Sequence, residues 1–144
     1  MWRALWLLIL PAVAAADRHE PDNTRNAAAE APPISHIVGQ PAVDLTGLVA
    51  EAGGEDWFHL YADCCTEVGV QVRWRAGQGP LRLELFDAAG APVLPGAAGV
   101  TVSTGGGFRR ISVQGTGGHW YARVTSTRGS VSYDLRALAP VYVN

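Results

Sequence analysis

The stretch VGVQVRWRAGQGPLRLELFD, residues 68–87, decides the fold. Valines in its first half alternate with Gln71 and Arg73, and leucines in its second half alternate with Arg82 and Glu84. A period of two is typical of a β-strand that has one face in a core and the other in water. The intervening Gly-Gln-Gly-Pro is typical of a turn. The stretch therefore predicts two amphipathic strands joined by a short connection.

Short alternating runs separated by Gly-rich turns continue on both sides of this stretch, between residues 42 and 138. Short strands at a spacing of about 8–12 residues are typical of a β-sandwich. Alternation also means that each sheet buries only one of its faces. We predict an all-β fold, a jelly-roll-like β-sandwich of about 7–8 antiparallel strands, over residues 42–140, with residues 141–144 as a tail.

The N-terminal sequence MWRALWLLILPAVAAA predicts a signal peptide over residues 1–16. Arg3 supplies a positive start, residues 6–10 form a short apolar run, and residues 14–16 offer small side chains for cleavage. A membrane span would need about 20 apolar residues, and no stretch of the chain provides them. We therefore expect an exported bacterial protein, periplasmic or extracellular, with no membrane span.

Residues 17–41 are polar and interrupted by prolines. Their first fifteen positions lack any large apolar side chain, so burial would not offset the entropy lost on ordering them. We predict a flexible N-terminal arm over this range, with room for one or two helical turns around Asn26–Glu30. At the end of the arm, Ile34–Val38 is expected to pair as an edge strand.

Charge and motifs exclude several functions. The chain has a formal net charge of −2, and losing Arg3 with the signal peptide makes it more acidic, whereas a nucleic-acid-binding domain needs a basic surface. The sequence contains no Gly-x-Ser-x-Gly, no His-Glu-x-x-His and no lysine-containing phosphate loop. We therefore expect no nucleic-acid partner, no cofactor, no catalytic residue and no enzymatic activity.

Cys64 and Cys65 are adjacent and are the only cysteines in the chain. Two cysteines in an exported protein usually form a disulfide, but neighbours can bridge only through a strained ring, because their Cα atoms lie about 3.8 Å apart. We predict a vicinal disulfide that rigidifies the turn. Two alternatives stay open: two thiols that are free or paired between copies, which allows a covalent dimer, and a metal or redox role with His59 as a further ligand.

The segment DWFHLYA, residues 56–62, carries three rings at alternate positions. If its even-numbered residues face the core, the rings form a platform that can stack on sugars or anchor a protein. Arginines on a neighbouring strand are expected to flank the platform. The alternative is that the segment from Ile34 covers the rings and makes them part of the core. The predicted ligand-binding residues are Trp57, His59, Tyr61, Arg73 and Arg75.

Three segments, LTGLVAEAGGEDWFHLYA, LRLELFDAAGAPV and GGHWYARVTSTRGSVSYDL, resemble the bacterial pre-peptidase C-terminal domain family. The matching positions are Gly47, Asp56 to Phe58, Asp87 to Gly90, Gly118 to Val124 and Tyr133 to Leu135. The resemblance implies a jelly-roll β-sandwich that accompanies secreted peptidases and serves in secretion, substrate attachment or stability. This chain departs from the family because it contains no peptidase.

Calcium binding is a property of related collagen-binding modules. In the family the corresponding strand is rich in Asp, whereas this chain has Arg82 and Glu84 there. The resemblance therefore does not imply calcium binding. Five acids do fall within 17 residues, without EF-hand spacing, and we interpret them as solvated turn acids that pair with arginines. They are Glu51, Glu55, Asp56, Asp63 and Glu67. We predict no metal site.

Together these features predict a secreted, non-catalytic binding or accessory module. Its expected partner is a protein or polysaccharide of the cell envelope. Two alternatives are a structural subunit dimerised through cysteine and a periplasmic metal-binding protein that uses the two cysteines and His59. The sequence leaves the oligomeric state open.

Overall fold

The computed structural model describes residues 23–115 and 117–143. Within these residues the elements are α1 Arg25–Glu30, β1 His36–Ile37, β2 Val43–Ala50, β3 Glu55–Ala62, β4 Val68–Trp74, β5 Leu81–Phe86, β6 Val100–Gly105, β7 Phe108–Val113, β8 Gly118–Ser126, β9 Val131–Leu138 and β10 Pro140–Val141. The predicted signal peptide, residues 1–16, lies outside the described residues. In the described part of the chain, no helix is long and apolar enough to span a membrane.

Eight of the strands form two antiparallel sheets that enclose one core. The five-stranded sheet has the order β2-β9-β4-β7-β6, and the three-stranded sheet has the order β3-β8-β5. The short strands β1 and β10 form a separate parallel pair. Strands that follow each other in sequence mostly change sheet, as β3, β4 and β5 do. The prediction of an all-β sandwich of antiparallel strands is confirmed.

The core lies between the two sheets and contains the apolar residues of the alternating stretch. The three valines of β4 are at most 1% exposed, and the three leucines of β5 are at most 3% exposed. Phe58 and Leu60 of β3 and Leu135 of β9 pack with them. Each fully buried aliphatic side chain stabilises the fold by about 1.5–3 kcal/mol. The apolar residues at alternate positions therefore form the inner faces of both sheets.

The segment from Thr24 to Val38 packs against the sandwich. Thr24 caps α1, since its hydroxyl oxygen accepts from the backbone N–H of Ala27 at 3.1 Å. Ile34 pairs with β3: its N–H donates to the carbonyl of His59 at 2.8 Å, and its carbonyl accepts from Tyr61 at 3.1 Å. The expected helical turns and edge pairing are present. These backbone hydrogen bonds place the segment against the sandwich although it is poor in large apolar side chains, and the flexibility of the arm stays a prediction.

Candidate functional site

The first predicted surface is the outer face of the three-stranded sheet. Trp57, His59 and Tyr61 share this face of β3, as the alternation predicted, while Phe58 and Leu60 face the core. The face is covered, however, because Trp57 is only 6% exposed and His59 only 7%. Rings buried to this extent cannot form a platform for an external ligand. The structure agrees instead with the alternative in which the N-terminal segment covers the rings.

Helix α1 covers Trp57, and Ala31 just after the helix contacts His59. Ala28, the buried residue of the helix, packs with Trp57 and with Tyr121 of β8. The guanidinium of Arg25 lies 5.1 Å from the centroid of the Tyr121 ring and donates to the carbonyl of Ala88 at 2.8 Å. A small residue lets the helix approach the sheet, and the cation–π contact adds about 0.5–1 kcal/mol at a partly exposed site.

Trp57 is also held by a half-buried ion network. Its indole N–H donates to Glu55 at 3.0 Å. Arg123 of β8 bonds Glu55 at 3.1 Å and Glu84 of β5 at 2.7 Å, and its guanidinium lies 5.4 Å from the Trp57 ring centroid. The polar atom of Trp57 is thus satisfied inside the protein. These contacts fit a structural role for this residue.

His59 forms a close pair with His119 of β8. The Nε2 atom of His59 lies 2.7 Å from the Nδ1 atom of His119, and its Nδ1 atom lies 3.0 Å from the carbonyl oxygen of Ala31. The His59 ring stacks on Tyr121 with centroids 4.9 Å apart, and the exposed His119 packs on the Tyr61 ring at 4.9 Å. Sequence spacing does not indicate this pair, because pairing of β3 with β8 brings the two histidines together.

Arg73 and Arg75 lie on the other side of the sandwich. Arg73 is an exposed residue of β4 in the five-stranded sheet, and Arg75 follows that strand. The prediction that these arginines flank the rings of β3 is therefore wrong. The chain crosses from one sheet to the other in the turn between β3 and β4, so strands adjacent in sequence are not neighbours in a sheet.

The outer face of the five-stranded sheet is polar. Strand pairing places one residue of each strand side by side in a row, and these residues are Asp44, Arg136, Gln71, Arg110 and Ser103. At about 4.8 Å between strands, the row is about 19 Å long. In the next row, Arg73 lies opposite Asp134. This face presents guanidinium, carboxylate, amide and hydroxyl groups in a regular array.

A shallow groove runs over this face, which we call the polar groove. It consists of three adjoining depressions of about 200, 350 and 220 Å³, joined through Gln71, Arg73, Asp134 and Arg136. One wall is a β-bulge in β2, where the pairing with β9 shifts register between Leu45 and Leu48. Gly47 lies in this bulge with φ of 71°, a conformation that favours glycine, and its N–H donates to Asp134 at 3.1 Å.

Charges in the polar groove are only partly paired. Arg136 bonds both carboxylate oxygens of Asp44, at 2.8 and 3.1 Å, and this hydrogen bonding lowers the pKa of Asp44. Arg110 lies 3.5 Å from Glu67. Within the described residues, Arg73 and Arg75 have no carboxylate oxygen within 4.0 Å. Such guanidinium groups can bind a carboxylate or phosphate through two parallel hydrogen bonds.

The structure joins Cys64 and Cys65 in a vicinal disulfide. Both residues are exposed, and they lie in the turn that connects β3 with β4. Cys65 has φ of 72°, and Gly117 packs against the Cys64 backbone so closely that a Cβ atom at position 117 would clash. Because both nitrogens of His59 already have partners, that residue is not placed as a third ligand beside the cysteines.

The acids of the turns have partners within the protein. Glu51 accepts from Ser130 at 2.5 Å, Glu55 pairs with Arg123, and the Asp63 carboxylate accepts from the backbone N–H of Tyr142 at 2.6 Å. Among the described residues, no group of three or more His, Cys, Asp or Glu side chains is placed to hold a metal ion.

Asp56 is the buried acid of this set. It is 9% exposed and accepts a hydrogen bond from the hydroxyl of Tyr133 of β9 at 2.7 Å. Burial raises the pKa of Asp56, and the hydrogen bond from Tyr133 partly offsets this rise. Burial likewise raises the pKa of the Tyr133 hydroxyl. The contact ties the three-stranded sheet to the five-stranded sheet.

Arg73 and Arg75 were named from the sequence as flanking residues of the β3 rings, and their neighbours in the polar groove were not named. Arg110 and Arg136 come from distant strands, and only the pairing of β4 with β7 and β9 brings them next to Gln71. Arg136 lies at a polar position of the alternating strand β9, which indicates that it faces outward. Its neighbours across the sheet could not be inferred from that pattern.

Comparisons with known proteins support the fold. No family model matches the sequence. No curated protein matches it either. Among solved structures, the chain is similar to the pre-peptidase C-terminal domain of a collagenase from Bacillus anthracis, with 15% sequence identity and a TM-score of 0.51. The match covers 74% of this chain and 96% of that domain. The chain therefore has a fold like that of a pre-peptidase C-terminal domain, as the resemblance implied.

Proposed function

We propose that the chain is an exported, non-catalytic accessory module that binds an envelope protein or polysaccharide through the polar groove. One observation carries this proposal: Arg73 on the outer face of β4 and Arg75 just after that strand line the groove, and neither has an ion-pair partner among the described residues. The proposal moves the binding site from the β3 face, which α1 covers, to the opposite side of the sandwich.

Support for a non-catalytic role comes from the histidines. His59 is held between Ala31 and His119, and within the described residues no serine, threonine or cysteine side chain forms a hydrogen bond with a histidine. An activated nucleophile would need such a base within hydrogen-bond reach. The structural neighbour is named as the pre-peptidase C-terminal domain of a collagenase, and from this likeness we infer an accessory role for this chain.

The groove favours a ligand that carries negative charge. Arginine recognises carboxylate and phosphate through paired, charge-assisted hydrogen bonds, while Gln71 in the groove can bind hydroxyl or amide groups. The arginines are exposed to solvent, so salt screens their attraction to a charged ligand, with a screening length of about 10 Å at 0.1 M ionic strength. Binding should therefore weaken as salt is added.

The test compares two double variants that remove equal charge. Arg73→Ala with Arg75→Ala alters the groove, whereas Arg82→Ala with Arg128→Ala removes two exposed arginines outside it. Binding is measured by pull-down from solubilised cell envelope and on a glycan array that includes acidic polysaccharides. We expect the groove variant to bind at least about tenfold more weakly and the control variant to bind like the wild type. Equal binding by all three proteins, or equal loss in both variants, would contradict the proposal.

A further inference from the structure

Phe108 is an aromatic residue outside the core. Among the described residues, Phe58 packs between the two sheets and Phe86 packs with Trp57, whereas Phe108 belongs to neither of these apolar clusters. It begins β7, is partly exposed, and lies on the same side of that strand as the exposed Arg110. The ring is therefore on the polar outer face of the five-stranded sheet, where burial does not explain it.

The Phe108 ring lies beside the polar groove. Strand pairing places Phe108 directly opposite Arg73 of β4 and, on its other side, opposite Gly105 of β6. A Cβ atom at position 105 would clash with the ring, so the ring occupies the space above this glycine. Because adjacent strands are about 4.8 Å apart, the ring and the side chain of Arg73 are neighbours on one surface.

Asp134 of β9 extends this line of side chains into the groove. It lies opposite Arg73, on the side away from Phe108, and accepts from the Gly47 N–H at 3.1 Å. A carboxylate has about four acceptor sites, so it can also accept from a ligand hydroxyl. We call Phe108, Arg73 and Asp134 the Phe108 row. A ligand that crosses the strands here meets a ring, a guanidinium and a carboxylate at intervals of about 4.8 Å.

The groups of the Phe108 row match those of a uronic acid. The apolar C–H face of its sugar ring can stack on an aromatic ring, its carboxylate binds a guanidinium through two parallel hydrogen bonds, and its hydroxyls donate to a carboxylate. Arg73 is available for this contact, because it has no carboxylate oxygen within 4.0 Å among the described residues. Successive units of an extended pyranose chain are separated by a length close to the strand spacing, so neighbouring sugars can meet neighbouring strands.

An acidic peptide fits the Phe108 row less well. Along an extended peptide, side chains on one side are about 6.8 Å apart, which is longer than the spacing of the strands it would cross. Its acidic side chains only accept hydrogen bonds, so they would repel the groove carboxylates instead of donating to them. The groove is lined by four arginines and two aspartates, an excess of positive charge on a chain of formal net charge −2: Arg73, Arg75, Arg110, Arg136, Asp44 and Asp134. A chain that carries a carboxylate and hydroxyls on each unit satisfies both kinds of group.

We propose that the Phe108 row and the polar groove bind a linear polysaccharide of uronic acids, in which one sugar stacks on Phe108 and a carboxylate binds Arg73. This inference rests on the proposed function and narrows its partner from an envelope protein or polysaccharide to one class of polysaccharide. Phe108 then determines specificity, because it contacts the sugar ring and contributes nothing to the attraction between charges.

Calorimetric titration of the whole exported chain with short oligogalacturonates tests the stacking contact. We expect Phe108→Ala to raise the Kd about tenfold, and Phe108→Tyr, which keeps a ring, to stay within about threefold of the wild type. Leu94→Ala removes an exposed apolar side chain outside this face and should bind like the wild type. An unchanged Kd in Phe108→Ala would overturn the proposal. NMR of the wild-type complex gives a test without a variant: nuclear Overhauser effects must join sugar protons to the Phe108 ring, and their absence at saturation would exclude stacking.

Two further ligands separate this inference from the proposed function. Methyl-esterified oligogalacturonate keeps the sugar rings and lacks the charge, whereas poly-L-glutamate keeps the charge and lacks the rings. We expect both to bind at least about tenfold more weakly than oligogalacturonate. If poly-L-glutamate binds as tightly and Phe108→Ala changes neither affinity, the uronate assignment fails while an acidic protein remains as the partner of the groove. If Arg73→Ala with Arg75→Ala leaves the binding of every ligand and of envelope material unchanged, the proposed function fails as well.

Discussion

Replacing Tyr133 with Phe removes the hydrogen bond that ties the two sheets together. The hydroxyl donates to Asp56 at 2.7 Å, and the two residues are 3% and 9% exposed. Without the hydroxyl, the carboxylate of Asp56 stays desolvated and loses a hydrogen bond to a charged group, which is worth about 1.5–3 kcal/mol. We expect the free energy of unfolding to fall by about 2 kcal/mol at neutral pH.

The size of this loss should depend on pH. Because burial raises the pKa of Asp56 in the folded state, the carboxyl contributes most stability below its unfolded pKa of about 3.9, and this contribution is lost as pH rises through the folded pKa. The hydrogen bond from Tyr133 limits this rise in the pKa of Asp56. Removing the hydroxyl therefore raises the folded pKa further and extends the pH range in which the protonated carboxyl stabilises the fold. The loss in Tyr133→Phe should therefore be smaller near pH 4 than at pH 7.

Urea denaturation at both pH values measures the effect. A loss of about 2 kcal/mol moves the midpoint down by about 1 M urea. Tyr142→Phe is the matched control, because Tyr142 is 56% exposed, and it should stay within about 0.5 kcal/mol of the wild type. If Tyr133→Phe also stays within that range at neutral pH, or loses more stability in acid, the account of this contact is wrong.

Three further predictions concern the core, the cysteines and export. Leu83 is 1% exposed, so Leu83→Ala should lower the free energy of unfolding by about 2–5 kcal/mol in urea denaturation, and an unchanged midpoint would place β5 outside the core. Protein denatured without reductant should have no titratable thiol and should run as a monomer on a non-reducing gel, whereas a band at double mass would favour pairing between copies. N-terminal sequencing of the exported protein should begin at Asp17, and an unprocessed chain confined to the cytoplasm would contradict export.

The strands and their faces were predictable because alternation is a local property. Val70, Leu83 and Phe58 face the core as the period of two requires, and Trp57 and His59 share the opposite face of β3 as predicted. The environment of that face was not predictable. It depends on α1, whose small side chains show no apolar pattern, and on the segment after it, which Ile34 ties to β3 by backbone hydrogen bonds that composition does not reveal.

Sheet membership explains the other error. A period of two indicates which side of a strand faces solvent, but it does not indicate which strands pair with each other in a sheet. Arg73 on β4 was therefore assigned to the neighbourhood of β3, although β4 pairs with β7 and β9. The same non-local pairing creates the row that contains Arg110 and Arg136, and it brings His119 to His59.

The central claim is that the protein meets its partner through the polar groove and not through the β3 face. Backbone NMR of the labelled protein, titrated with protein and polysaccharide fractions of the source cell envelope at neutral pH, tests this claim most directly. The account predicts that amide shifts move in β2, β4 and β9, around Gly47, Arg73 and Asp134. Shifts confined to α1, β3 and β8 would contradict it.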